Sequence, residues 1–180
     1  MRIAIAGSHG VGKTTLAKAL AKRLNFKYIP DIVREEAIKK GFVINENTPP
    51  EVQLWLVSRQ WELENTTPEN WVADKSLFDF LIYGEIVLKN ENVLNVIREM
   101  VTRNANYDFV FYLPIEFPLE LDGVRSENLK FQKDVDSRYR KKLKELGVKY
   151  IVLSGSVEER VEKALKYLNR PDTKLRTSLH

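Results

Sequence analysis

The segment that most constrains this chain is Gly-Ser-His-Gly-Val-Gly-Lys-Thr-Thr at residues 7–15, directly after the apolar stretch Arg-Ile-Ala-Ile-Ala. Gly7 is followed by four residues and then by Gly12-Lys13-Thr14, which is the spacing of a phosphate-binding loop. Glycines allow successive backbone N–H groups to turn inward around a polyphosphate. The apolar stretch predicts a strand before the loop, and leucines four residues apart over 16–24 predict a helix after it. The segment therefore predicts a nucleotide-binding unit.

Each residue type in this loop has a chemical role. Lys13 supplies a compact positive charge for the β- and γ-phosphates, and the Thr14 hydroxyl is a suitable ligand for the Mg²⁺ of Mg·ATP. The anion is expected at the helix N-terminus, where unpaired N–H groups point at it. ATP is the expected nucleotide, but there is no clear Asn-Lys-x-Asp guanine motif and base preference stays open. The loop residues predicted to contact the nucleotide are Gly7, Ser8, His9, Gly10, Val11, Gly12, Lys13, Thr14 and Thr15.

Composition restricts the class of protein. The chain has 180 residues, of which 43% are apolar, so we expect one domain over 1–180 with a short tail at 169–180. Without an apolar run of membrane-spanning length, and with a strand at the very start, the expected location is cytoplasmic, with no membrane contact. The absence of cysteine excludes thiolate metal sites and leaves an oxygen-bound metal such as Mg²⁺.

The charge pattern bears on partners. The net charge is +4, but lysines and arginines alternate with glutamates along helical segments, as on solvated helix faces. Nucleic acid is therefore not the expected partner, because no basic stripe is interleaved with aromatic residues. A homodimer is compatible with the sequence, which does not decide the oligomeric state. The expected partners are a nucleoside triphosphate and a small acceptor molecule.

Apolar segments alternate with helical patterns along the whole chain. This alternation predicts an α/β fold, a three-layer sandwich around a five-stranded, mostly parallel sheet. One helix is predicted over 31–40, ended by Gly41. Ligands of such sheets bind at the carboxyl ends of the strands, so the residues after each strand are candidates for the site. The predicted strands are 2–6, 26–29, 71–74, 107–113 and 149–153.

Two carboxylates follow predicted strands. Asp31 is placed to act as the base for an acceptor hydroxyl beside the γ-phosphate, although it could equally be a helix N-cap. Asp74 could hold Mg²⁺ through water, or pair with Lys75 or Lys13. Arg34 could bind a phosphate or carboxylate of the acceptor, or pair with a neighbouring glutamate.

Three further side chains are candidates with alternatives beside them. Arg125 follows Asp-Gly-Val and is the candidate for a mobile cation that closes over the phosphoryl group; otherwise it is an exposed loop residue. Gln60, with Trp55 and Trp61 nearby, could bind a base or pyridine ring, although tryptophans are more often core residues. Arg160 could lie against the nucleotide base, or could be an exposed arginine in a capped helix.

Taken in order, several segments resemble the small P-loop kinases. The segments are GSHGVGKTT, DIVREE, Gln60, VADKSLFD with Tyr83, YDFVFYLP, DGVR and GSVEER. The sequence is similar above all to a group of AAA-type ATPases and kinases that includes the nicotinamide riboside kinase domain of bacterial NAD regulators. It is similar more distantly to thymidylate and deoxynucleoside kinases. The resemblance spans essentially the whole chain, although only the phosphate loop is highly specific.

The resemblance implies a P-loop nucleoside triphosphate hydrolase fold and ATP-dependent, Mg²⁺-assisted phosphorylation of a nucleoside-like hydroxyl or a nucleoside monophosphate. It also implies that Lys75 and Tyr83 contribute to acceptor binding. Relatives usually have Asp-Arg-Ser after the third strand, and this chain has Asp74-Lys75-Ser76. Because lysine cannot make a forked contact, and because the segment around Arg125 is short, a neutral nucleoside is favoured over a monophosphate.

Two function classes compete, and a third is less favoured. The first is a small-molecule kinase in which Lys13 and Arg125 neutralise the phosphoryl group, Thr14 and Asp74 hold Mg²⁺, and Asp31 is the base. The second is a regulatory ATPase or GTPase switch that signals to a protein partner. The third, a polynucleotide kinase, would show steep salt dependence of nucleic-acid binding.

Overall fold

In the computed structural model a five-stranded parallel sheet runs through the centre of the protein. The structure describes residues 1–116 and 129–169, apart from the side chains of Val33 and Arg34. The predicted α/β fold with five strands is confirmed, and the strands are shorter than predicted at several ends. They are β1 (Arg2–Ala6), β2 (Lys27–Ile29), β3 (Trp71–Asp74), β4 (Phe109–Tyr112) and β5 (Ile151–Val152).

The strand order places the phosphate loop at the middle of the sheet. The order is β2-β3-β1-β4-β5, so β1 lies between β3 and β4. Ile5 of β1 is paired with Asp74 on one side and with Phe111 on the other. Because all five strands are parallel, the carboxyl ends of β1, β3 and β4 lie at the same edge of the sheet. The loop at 7–15 is thereby flanked by the segments that follow β3 and β4.

Helices cover both faces of the sheet and complete three layers. They are α1 (Lys13–Leu24), α2 (Pro50–Thr66), α3 (Leu77–Val87), α4 (Glu91–Asn104), α5 (Leu129–Glu145) and α6 (Val157–Leu168). Side chains alternate along each strand, so Ile3 and Ile5 pack with α1 and α6, whereas Ala4 and Ala6 pack in the core with α2 to α5. The α3 helix is apolar on most sides because it lies between neighbouring helices and the sheet.

The helix predicted over 31–40 is wrong in extent and type. The structure has only a five-residue π-helical turn, Val33–Ala37. Ile32 and Ala37 are five residues apart and both fully buried, a spacing that a wider turn brings onto one face. Gly41 then ends the segment with a left-handed backbone, φ 77°.

No helix within 1–116 and 129–169 has both the length and the apolar character needed to cross a lipid bilayer.

Candidate active site

The phosphate loop depends on glycine at its first position. Gly7 has φ 143°, and a Cβ at this position would lie 2.5 Å from the carbonyl oxygen of Leu113. Gly10 and Gly12 also have positive φ, and Gly12 is the last residue before α1 begins at Lys13. A side chain at residue 7 would therefore collide with the backbone that follows β4, in addition to straining its own.

Lys13 is the buried cation of the loop. Its side chain lies inside the loop curve, and Nζ donates to the carbonyl oxygens of Gly7 at 2.8 Å and Ser8 at 2.5 Å. Only 4% of the residue is exposed. An ammonium held in this way has a fixed position relative to the loop N–H groups.

Arg160 supports the same loop from α6. It is 2% exposed, so the alternative of an exposed helix arginine is wrong. Nη1 donates to the carbonyl oxygen of Val11 at 2.9 Å, and Nη2 donates to Oε2 of Glu116 at 2.7 Å. Nη1 also lies 3.2 Å from where a Cβ on Gly12 would be. The burial follows from α6 packing on α1, and the guanidinium fixes the backbone of the loop. Contact with a nucleotide base stays a prediction.

His9 connects the phosphate loop to two helices. Its backbone N–H donates to the hydroxyl of Tyr83 on α3 at 3.1 Å, and its Nδ1 lies 3.0 Å from the same oxygen. Its carbonyl oxygen accepts from Nε2 of Gln132 on α5 at 2.7 Å. Gln132 is not predictable from the sequence, because a glutamine beside the apolar stripe of a helix carries no signal of its own. The outer part of the loop is thus held by side chains of α3 and α5.

Asp74 lies close to the Thr14 hydroxyl. Asp74 is 1% exposed, and its Oδ2 accepts from the hydroxyl of Tyr28 at 3.3 Å. Its Oδ1 has no hydrogen-bond partner of ordinary geometry within the described part of the chain. Burial and the negative charge of Asp31 raise the pKa of Asp74, whereas the Thr14 hydroxyl and the Lys13 ammonium oppose that rise. A divalent cation would relieve the cost of this buried carboxylate.

The other carboxylate, Asp31, is paired with Lys75. The Nζ atom of Lys75 lies 3.1 Å from Oδ1 of Asp31, and both side chains are almost fully buried. Lys75 thus forms its ion pair with Asp31, not with Asp74, its immediate neighbour in the sequence. Lys75 has φ 103°, an unusual backbone for a residue with a side chain. Strained backbone of this kind is found mainly at functional sites.

A cavity opens beside these groups, between the phosphate loop, α2, α3 and α5. Its volume is about 60 Å³. The polar residues that line it are His9, Asn45, Thr48, Gln53, Lys75, Asp79 and Tyr83, and the apolar ones are Ile44, Leu56, Phe80, Val87 and Phe131. The structure therefore brings Lys75 and Tyr83 together at one cavity, next to the phosphate loop.

Gln60 is not part of that lining. Its Nε2 donates to Oε1 of Glu64 at 2.8 Å, and the side chain is fully buried. Gln53, on the same helix and closer to its start, contributes to the cavity instead. Neither Trp55 nor Trp61 is among the lining residues. Trp55 packs edge-on against Phe42, and Nε1 of Trp61 donates to Asn104.

Two of the predicted site residues cannot be placed. Arg125 lies outside the described residues, and the side chain of Arg34 is outside them too. Their proposed roles as a lid cation and an acceptor contact stay predictions.

A parallel sheet with a glycine-rich phosphate loop after its central strand, two buried carboxylates near that loop and an adjoining cavity is the architecture of the small P-loop kinase group. The chain belongs to the AAA domain family, whose model matches residues 2–160.

Comparison with known proteins agrees with this class. The chain is 25% identical over 152 residues to the deoxyguanosine kinase of Bacillus subtilis. The matched region covers 78% of this chain and 73% of that protein. It is 36% identical over 81 residues to a protein of Thermococcus gammatolerans named as a putative adenylate kinase, covering 45% of this chain and 44% of that protein.

Solved structures show the same fold. A deoxyadenosine kinase from M. mycoides, with dCMP and dCDP bound, matches with a TM-score of 0.74 and 17% identity over 94% of this chain and 98% of that one. The NadR protein in complex with NR matches with a TM-score of 0.76 and 17% identity over 92% of this chain and 50% of that one.

Proposed function

We propose that this protein transfers the γ-phosphoryl group of Mg·ATP to a hydroxyl of a neutral, nucleoside-like acceptor. The observation that carries the proposal is the position of the Asp31–Lys75 ion pair. Lys75 lines the cavity, and the negative charge of Asp31 raises the pKa of Asp74, which lies close to Thr14 of the phosphate loop. This arrangement supports a role for the Asp31 carboxylate in the transfer, because its partner Lys75 lines the cavity where the acceptor would bind.

In the proposed reaction the acceptor oxygen attacks the γ-phosphorus and forms a new P–O bond. The bond from that phosphorus to the β,γ-bridging oxygen breaks, and ADP leaves. Asp31 takes the proton of the acceptor hydroxyl, and Lys75 keeps the Asp31 side chain in place. Lys13 lies inside the loop, where its charge would offset the negative charge of the phosphates.

The metal requirement is supported by the donor set. Thr14 and Asp74 would hold Mg²⁺, Asp74 through water, since a hydroxyl and a buried carboxylate are the oxygen donors that this ion prefers. When bound, this ion neutralises charge on the β- and γ-phosphates.

The cavity favours a neutral acceptor with an apolar ring. Apolar side chains form much of its wall, and Gln53, Asn45 and Thr48 supply hydrogen-bonding groups. Lys75, the cationic side chain among the described lining residues, already forms an ion pair with Asp31, so it offers little to an acceptor phosphate. A volume of about 60 Å³ is well below the few hundred Å³ usual for such sites. The acceptor therefore has to displace lining side chains when it binds.

The experiment is to measure ADP formation from Mg·ATP with a panel of acceptors. The panel contains deoxyguanosine, deoxyadenosine, nicotinamide riboside and the corresponding monophosphates. We expect strong stimulation by a nucleoside, and a loss of about 100-fold or more in Asp31→Asn with nucleotide binding retained. Asp134→Asn is the matched control because Asp134 is an exposed carboxylate on α5.

Two results would count against the proposal. Slow hydrolysis that no acceptor stimulates would favour the regulatory switch and direct attention to a protein partner. Acceptor-dependent turnover that is normal in Asp31→Asn would remove Asp31 as the base.

A further inference from the structure

A buried chain of hydrogen bonds connects α2 to the start of α3. The backbone N–H of Leu77 donates to the hydroxyl of Tyr107 at 2.8 Å. That hydroxyl donates to the carboxyl group of Glu64, with distances of 2.9 Å to Oε1 and 3.0 Å to Oε2. Gln60 donates to the same carboxyl group. The backbone of α3 thus donates to Tyr107, and both Tyr107 and Gln60 donate to Glu64.

Aromatic packing fixes the place of the Tyr107 hydroxyl. Tyr107 is fully buried, and its ring meets the rings of Trp71 and Phe78 edge to face, with centroids 6.1 Å and 5.6 Å away. A ring held by two such contacts has little freedom to swing. Leu77 therefore has a fixed hydrogen-bond acceptor at the point where α3 begins.

The start of α3 carries residues of the acceptor cavity. Lys75 precedes Leu77 by two residues and has the left-handed backbone described above, and Asp79 follows Leu77 by two. Both line the cavity. The Asp79 carboxylate also accepts from the backbone N–H and the hydroxyl of Ser76, each at 2.7 Å. A shift at Leu77 would thus move two cavity side chains, one of which, Lys75, is the partner of Asp31.

A carboxyl group at position 64 is costly for stability alone. Glu64 is 5% exposed, and burial raises its pKa to about 8, with Asp79 adding to the rise while Gln60, Tyr107 and Arg2 oppose it. At neutral pH the group therefore keeps its proton. An apolar side chain would fill the same space without a desolvation cost. What the carboxyl group adds is a hydrogen-bond partner that holds the Tyr107 hydroxyl toward Leu77.

We propose that Glu64 and Tyr107 are positioning residues for acceptor binding, and that they act by fixing the start of α3 and thereby the cavity side chains Lys75 and Asp79. The acceptor part of this inference rests on the proposed kinase function. The positioning of α3 is independent of it and has its own measurement.

The test compares Tyr107→Phe with Tyr112→Phe. The Tyr112 hydroxyl also donates to a carboxylate in the interior, that of Asp136, but does so between β4 and α5. We expect both variants to lose similar thermal stability. Only Tyr107→Phe should raise the acceptor KM, by about tenfold for one lost hydrogen bond, with the ATP KM unchanged.

Glu64→Gln supplies the conservative variant. At pH 7 it should behave like the wild type, because an amide oxygen can accept from Tyr107 as the protonated carboxyl group does. As the pH rises from 7 to 9, the wild-type acceptor KM should increase, since ionisation places a charge on Glu64 that its buried surroundings do not solvate and that would disturb the start of α3. The acceptor KM of Glu64→Gln should stay constant over the same range.

Amide hydrogen exchange reads out the positioning without any turnover. In Tyr107→Phe, but not in Tyr112→Phe, the segment 75–82 should lose protection. Equal exchange and equal acceptor KM in the two phenylalanine variants would overturn the proposal and leave Tyr107 as a structural residue. If the wild type phosphorylates no acceptor, the kinase proposal fails, and the exchange comparison alone decides whether the pair fixes α3.

Discussion

The phosphate loop and the acceptor cavity lie side by side, yet they are constructed in different ways. The loop consists of consecutive residues whose shape follows from glycines at set positions and from one lysine that folds back onto its own backbone. The cavity is assembled from the segment at 44–48, from α2, α3 and α5, and from His9 of the loop. The loop geometry is therefore local, whereas the cavity depends on how separate elements pack. Substitutions in the two regions should accordingly have effects of different kinds and sizes.

The largest effect is expected for Gly7→Ala. Its new Cβ would lie 2.5 Å from the Leu113 carbonyl oxygen, at a backbone angle unfavourable for alanine. We expect a loss of about 3 kcal/mol or more in the free energy of unfolding and no detectable ATP binding. Thermal unfolding and nucleotide titration measure the two quantities.

Gly41→Ala is the control for this substitution. Gly41 also has a positive φ, but a Cβ there meets nothing within 4 Å. It should cost only about 1 kcal/mol through backbone strain. If the two variants were equally stable, the contact with Leu113 would not be what requires glycine at position 7.

The next-largest effect is a pH dependence of the free energy of unfolding, caused by Glu64 on α2. Native Glu64 holds its proton up to about pH 8, whereas the unfolded chain releases it near 4.5. The unfolded state therefore binds fewer protons between these values, and the stability contribution of Glu64 falls as the pH rises through that window. Each pKa unit corresponds to about 1.4 kcal/mol, so a few kcal/mol are at stake.

Urea unfolding of wild type and Glu64→Gln at pH 5 and pH 8.5 measures this contribution. The variant should gain stability relative to the wild type at the higher pH. If the difference in the free energy of unfolding between the two proteins were the same at both pH values, Glu64 would not titrate in this range in the native state.

A smaller effect is expected for Arg160→Met on the phosphate side. The change removes the hydrogen bonds to the Val11 carbonyl oxygen and to Glu116 but retains a long apolar stem. Nucleotide affinity should fall about tenfold, or roughly 1.4 kcal/mol, because the loop backbone loses a fixed support. Arg103→Met is the matched control, since Arg103 is an exposed residue paired with Glu99 within one helix. Equal ATP affinity in the two variants would contradict a supporting role for Arg160.

The smallest effect is expected for Gln53→Leu, and it separates the two glutamines of α2. Gln53 lines the cavity, so its loss should raise the acceptor KM by about five- to tenfold, equivalent to roughly 1 kcal/mol, and leave the ATP KM unchanged. Gln60→Leu should mainly lower the melting temperature, because Glu64 loses a donor, and should raise the acceptor KM less than Gln53→Leu does. The reverse pattern would restore Gln60 as the acceptor contact.

What could be predicted from the sequence follows the same division. The sheet and the phosphate loop were predicted, because strand periodicity and the glycine spacing are properties of neighbouring residues. Asp31 and Asp74 could be singled out as candidates because strand ends of a parallel sheet meet at one edge. The ion-pair partner of each carboxylate could not be predicted, because Lys75 could reach either of them. Only the packed structure shows that it pairs with Asp31.

Gln53 and Gln60 show why the cavity could not be predicted in detail. Seven residues make nearly two helical turns, so both side chains project from the same face of α2, about 10 Å apart along its axis. Periodicity identifies the face but not the depth at which the cavity lies. The links from His9 to Tyr83 and Gln132 escape prediction for a similar reason, since they join residues 74 and 123 positions apart.

The position of β1 in the sheet also matters for how the protein is made. Its two neighbours, β3 and β4, follow it by about 70 and 105 residues in the chain, so the central strand is synthesised long before either partner. Pairing of such distant segments is slow, because a long loop must close before any contact forms. A nascent chain that has emerged only to residue 100 has the whole phosphate motif but only one of the strands that flank it. The nucleotide-binding geometry is thus completed only after β4 has been synthesised, about 100 residues after the phosphate motif itself.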